Sequence, residues 1–126
     1  MLKVLIVEDT QVHREIIKAE LRGRFPSLVI EEAPTGEEAL KKLNVFPPQL
    51  IFMDIGLPDA NGLQLTQKIK ADFPNIKIAI LTVYDLPEYR QAAIQYGADS
   101  FFVKDSLNWD EVAAFVKSIP ANEFQI

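Results

Sequence analysis

Five short apolar runs, at residues 2–7, 28–30, 50–53, 76–81 and 100–103, alternate with longer stretches of helical period. No other feature constrains the fold as tightly. A run such as Leu50-Ile51-Phe52-Met53 offers no polar face, so it reads as a strand buried on both sides. The stretches between the runs read as helices. Thr10 is placed to cap the first, with Val12, Ile16 and Ile17 turned inward and Gly23 as its stop. Thr35 and Glu38 form a capping box for a helix carrying Ala39, Leu40 and Leu43, which Pro47-Pro48 ends. Leu65, Ile69 and Phe73 share one side of a third helix. Asp85 and Glu88 suggest a capping box for a fourth, ending near Gly97, and Ser106 or Asn108 opens a fifth with Val112, Phe115 and Val116 inward.

Strand–helix alternation implies right-handed crossovers and one parallel sheet covered on both faces. The expected architecture is a doubly wound, flavodoxin-like (βα)5 sheet with strand order 2-1-3-4-5. At 126 residues the chain reads as a single domain over residues 1–119, with 120–126 as a C-terminal tail. Apolar residues make up 48%, which argues against disorder, and a net charge of −5 argues against direct nucleic-acid binding. With no cysteine and one histidine, His13, disulfides, thiol catalysis and a His-rich zinc site are excluded. No apolar run is long enough to span a membrane, and residues 1–9 do not read as a signal peptide, so the expected location is cytoplasmic.

Ligands of such sheets bind at the carboxyl ends of the strands, beside the point where the strand order reverses. Five polar residues fall at those ends: Glu8 and Asp9 after the first run, Asp54 after the third, Thr82 after the fourth and Lys104 after the fifth. The three carboxylates sum to −3, Lys104 brings the total to −2, and one divalent cation brings it to zero. Oxygen-only donors favour a hard ion, so the expected cofactor is Mg²⁺, weakly held alone and completed by a phosphoryl group. Asp54, between metal and Lys104, is the expected nucleophile. Lys104 and the metal would neutralise the transferring oxygens, Thr82 would donate a hydrogen bond to one of them, and backbone N–H groups at Gly56 and Val83 would add donors.

Glu8-Asp9, Asp54, Thr82 and Lys104, with Pro58 and Gly62 in the loop after Asp54, resemble the receiver-domain pattern of two-component response regulators over residues 2–118. The resemblance implies phosphotransfer to Asp54 from a sensor histidine kinase or phosphotransfer protein. It also implies Mg²⁺ held by Glu8, Asp9, Asp54 and the Gly56 carbonyl, and a switch pair of Thr82 and Phe101 acting on the surface of helix 4, strand 5 and helix 5. The stretch 97–105 is similar to receivers that precede LuxR-type DNA-binding domains. Val83 stands where a smaller residue is usual, which implies slow phosphoryl chemistry. Phe101 has no hydroxyl, so it would switch by packing alone.

The output stays open between a stand-alone receiver and the receiver part of a DNA-binding regulator, with a homodimer possible. The alternatives are a phosphate-independent receiver and an Asp-nucleophile phosphohydrolase. The latter lacks a second acid two residues after Asp54, where Gly56 stands. The chain is expected not to be an enzyme beyond its own phosphorylation and dephosphorylation.

Overall fold

Each of the five hydrophobic runs becomes a strand, the second extending beyond its apolar run to Ala33. A computed structural model describes residues 2–120; of the expected tail, 121–126 lie outside the described residues. The order is β1 (Lys3–Val7), α1 (Gln11–Arg24), β2 (Val29–Ala33), α2 (Gly36–Val45), β3 (Leu50–Met53), α3 (Gly62–Asp72), β4 (Lys77–Thr82), α4 (Pro87–Gln95), β5 (Ser100–Val103) and α5 (Trp109–Lys117). A 3₁₀ turn, Lys104–Ser106, joins β5 to α5. The strands form one parallel sheet in the order β2-β1-β3-β4-β5. Among the described residues no helix is long and apolar enough to cross a membrane.

Side chains alternate across the sheet and so build two cores. Leu5, Val7, Ile51, Met53, Ile78 and Ile80 meet α2, α3 and α4 on one face. Val4, Ile6, Leu50, Phe52, Ala79 and Leu81 meet α1 and α5 on the other. In α1 the inward positions are Ile17 and Leu21, whereas Val12 and Ile16 are 65% and 50% exposed, against expectation. The buried arc runs through 14, 17, 18 and 21, with the long stems of Arg14 and Lys18 covering the positions beside the apolar pair.

Gly23 does not stop α1. The helix runs on to Arg24, and Phe25 ends it with an N–H bond to the Leu21 carbonyl. The following Pro26 disfavours helical geometry at Phe25, which takes φ −135° and ψ 77°. Two more helices end the same way: Phe46-Pro47 after α2 and Phe73-Pro74 after α3, with φ near −140° and −134°. Each of the three phenylalanine N–H groups lies 2.7 Å from the carbonyl four residues back. Gly97, at φ 96°, ends α4 differently. Its N–H bonds the Ile94 carbonyl and the Ala98 N–H bonds that of Ala93, the double bond of a Schellman turn.

The capping expectations divide. Thr35 Oγ1 accepts from Glu38 N–H, and Asn108, rather than Ser106, caps α5 through Asp110 N–H. Thr10 sits at the start of α1 without a side-chain capping bond. Asp85 does not cap α4, which begins at Pro87; proline presets the first turn and has no N–H to satisfy. Asp85 instead faces Arg90 at 3.4 Å.

Candidate functional site

Strand register decides which side chains meet. Val7 lies between Ala33 of β2 and Met53 of β3, so Glu8, Asp9 and Asp54 leave adjacent strands at the same level. The Glu8 N–H bonds the Ala33 carbonyl and the Asp54 N–H bonds the Val7 carbonyl, each at 3.0 Å, extending the ladder into the site. Thr82 is the last residue of β4 rather than the first after it, and it pairs with Val103, which hands the chain on to Lys104.

One carboxylate oxygen from each of Glu8, Asp9 and Asp54 lies within 4.8 Å of the others. Glu8 and Asp54 are buried and Asp9 is exposed. Lys104 reaches back from the far side of the sheet. Its Nζ donates to Glu8 Oε1 and, at 3.3 Å, to Asp54 Oδ2. The expected constellation of three acids and one lysine is therefore assembled. An oxygen-only donor set carrying two net negative charges after Lys104 is counted fits a hard divalent ion.

The loop after β3 folds tightly onto this cluster. Gly56 bridges to Asn61, and Gly62 N–H bonds the Ile55 carbonyl at 2.8 Å. A Cβ at Gly62 would stand 1.9 Å from the Asp54 carbonyl oxygen, so only glycine allows that approach. Asn61 caps α3 by accepting from Leu63 and Gln64 N–H. Asp59 reaches across to the start of α2 and accepts from Gly36 N–H at 2.8 Å and Glu37 N–H at 3.0 Å. Those two backbone bonds, Gly36 first, hold its carboxyl below the usual carboxylate range.

Thr82 is fully buried, and its Oγ1 accepts from Tyr84 N–H at 3.4 Å. Among the described residues it makes no hydrogen bond to Asp54 or Lys104. Phe101 pairs with Ile80, which is two residues before Thr82 on the same face of the sheet, so Thr82 and Phe101 are diagonal neighbours there. Phe101 is partly buried, and the Arg90 guanidinium stands 4.8 Å from its ring centroid. Val83 is half-exposed and lines a cleft of about 280 Å³ with His13, Ile16, Lys104, Leu107 and Trp109.

Two neighbours of the site carried no sequence signal. His13, a part-exposed residue in the first turn of α1, places its Nδ1 3.2 Å from Lys104 Nζ. Arg14 donates to the backbone carbonyls of Glu8 at 2.8 Å and Asp9 at 3.1 Å, and from Nε to Glu32 at 3.0 Å. It thereby ties the turn that bears both acids to β2. Burial alone would raise the Glu32 carboxyl, but hydrogen bonds from Lys18 and Arg14 outweigh it and hold the group below its usual value. Lys18 is raised in turn by its bonds to Glu15 and Glu32.

A doubly wound sheet with three acids and a lysine at its switch point defines a class of molecule, the receivers of two-component signalling. The chain belongs to the response regulator receiver domain family, whose model matches residues 4–117. It is 34% identical over 119 residues to the response regulator protein VraR of Staphylococcus saprophyticus, a match covering 93% of this chain and 56% of VraR. It is 31% identical over 105 residues to the transcriptional regulatory protein LnrK of Bacillus subtilis, covering 83% of this chain and 48% of LnrK. The chain thus spans about half the length of the curated relatives it matches. A CheY-like receiver domain protein of Methanospirillum hungatei superposes with a TM-score of 0.84 at 28% identity, over 94% of this chain and 92% of that one. The signal receiver domain of a DNA-binding response regulator from Colwellia psychrerythraea superposes at 0.88 with 22% identity, over 94% and 97%, a likeness of fold.

Proposed function

We propose that Asp54 accepts a phosphoryl group and that the chain is a phosphorylation-dependent switch. The observation that carries this reading is the position of the Asp54 carboxylate. It is shared between the acidic cluster on one side and Lys104 Nζ, at 3.3 Å, on the other, in a chain of the receiver family. Glu8, Asp9, Asp54 and the Gly56 carbonyl would hold Mg²⁺. The ion would supply charge neutralisation on the transferring oxygens.

In the proposed step an Asp54 carboxylate oxygen forms a bond to phosphorus as the phosphorus–nitrogen bond of a phosphohistidine breaks. The electron pair stays with the departing imidazole, which takes up a proton. Lys104 donates to a phosphoryl oxygen and stabilises the charge that develops there. The N–H groups of Gly56 and Val83 add donors, and Thr82 turns its hydroxyl toward the phosphoryl group. Phe101, its diagonal neighbour, then repacks under Arg90 and alters the surface of α4, β5 and α5. The donor would be a sensor histidine kinase or a phosphotransfer protein, and the output a partner contact or a homodimer. Because VraR and LnrK are about twice as long as the matched region, the same switch would suit the receiver part of a transcriptional regulator.

Intact mass after incubation with Mg²⁺ and phosphoramidate tests the acceptor. One phosphoryl mass is expected on the wild type, none on Asp54→Asn, and none in the presence of a chelator. A gain on the Asn variant would move the acceptor elsewhere. The switch has a separate test: Thr82→Ala is expected to take up phosphoryl yet lose its effect on partner or dimer affinity, and retained coupling would reject the role given to Thr82.

A further inference from the structure

The Lys104 ammonium meets three groups: Glu8 Oε1, Asp54 Oδ2 at 3.3 Å and His13 Nδ1 at 3.2 Å. An ammonium has three N–H donors and no acceptor, so His13 Nδ1 must be the accepting nitrogen. His13 lies in the first turn of α1, and the buried Ile17 one turn later fixes the face on which the imidazole emerges.

The three partners differ in what else is asked of them. Under the proposed function Glu8 turns to the metal and Asp54 becomes an acyl phosphate, so both loosen their hold on Lys104. That happens just when its long, rotamer-rich side chain must be aimed at a phosphoryl oxygen. His13 has neither duty. Through Nδ1 it can hold one ammonium proton without competing, as a carboxylate would, for the positive charge that the phosphoryl group needs.

We propose that His13 is a positioning residue that fixes Lys104 for phosphoryl transfer; this rests on the reading of Asp54 as the acceptor. The test compares wild type with His13→Leu, which removes the acceptor, and His13→Asn, whose side-chain oxygen restores one. The maximal rate of phosphorylation by phosphoramidate at saturating Mg²⁺ is expected to fall about tenfold in His13→Leu, the loss of one charge-assisted hydrogen bond. Half-saturation by donor and by Mg²⁺ should stay unchanged, and His13→Asn should recover most of the rate.

Proton–nitrogen NMR of the Mg²⁺-loaded proteins gives a readout that stability does not move. A slowly exchanging Lys104 ammonium signal is expected in wild type and His13→Asn and lost in His13→Leu. A phosphorylated wild type with an equally fast His13→Leu, or an ammonium signal identical in all three, would overturn the inference alone. A wild type that gains no phosphoryl group from any donor would overturn the acceptor reading and this inference with it.

Discussion

Two residues, one packed on the Asp54 backbone and one in the cleft beside Lys104, act through space rather than charge. At Gly62 the obstacle to a side chain is the Asp54 carbonyl, part of the backbone, so nothing can yield cheaply. Gly62→Ala is expected to cost about 3 kcal/mol of stability by overpacking, read as a lower urea midpoint. A midpoint within error of wild type would mean that the loop opens there. Val83 acts from the cleft side. Its bulk beside Lys104 is expected to slow loss of the phosphoryl group, so Val83→Ala should shorten the lifetime of the Asp54 phosphate. An unchanged lifetime would show that water reaches phosphorus by another route. Glu8, Asp9, Asp54 and Lys104 were legible in the sequence because each follows an apolar run, and the end of a buried strand fixes a position in space. His13 was not, because its partner lies 91 positions away and its direction depends on which face of α1 is buried.

At the level of elements, four of the five strands were legible to within a residue, and the helix ends were not legible. The remaining strand, β2 (Val29–Ala33), runs three residues past the expected 28–30 because Glu31 and Glu32 interrupt its apolar pattern. Apolar runs report burial directly, whereas Thr10 and Asp85 have capping chemistry but the wrong neighbours. Pro87 starts α4 in place of the Asp85 box, and Phe25-Pro26 ends α1 after Gly23. The start of α2 is held by Asp59, which no pattern of nearby residues signals, since 23 positions separate it from Gly36. This contact has a pH signature. The Asp59 carboxyl is lowered in the folded chain, so its contribution is complete above the unfolded value near pH 4 and is lost as pH falls through the folded value. Glu32, also lowered, acts in the same direction. Urea midpoints for Asp59→Asn should therefore fall less than those of wild type between pH 5 and about pH 2.5. Parallel curves for the two proteins would show that the carboxylate contributes nothing to the start of α2.

Across the whole molecule, the dominant electrostatic feature is three carboxylates against one lysine in a chain of net charge −5. The Asp9 carboxylate has no cationic partner among the described contacts, so its removal relieves repulsion. In chelator, Asp9→Asn is expected to be as stable as wild type or more so, by up to about 1 kcal/mol. Mg²⁺ should reverse the order: it stabilises whichever protein binds it, by about 2.7 kcal/mol at a hundred times Kd. A Tm that rises equally with Mg²⁺ in both proteins would remove Asp9 from the ligand set.

Lys104 stands 96 positions after Glu8, directly after β5, the last strand in chain order. A chain that stops short of β5 contains every acid of the site and not the lysine that pairs with two of them. Such a fragment would leave a metal ion as the only offset to three like charges, so the acceptor as proposed is complete only once β5 has docked and brought Lys104 to it. Acceptance of a phosphoryl group would therefore also report that the sheet is complete through β5, and a copy broken before Lys104 would stay silent rather than signal falsely.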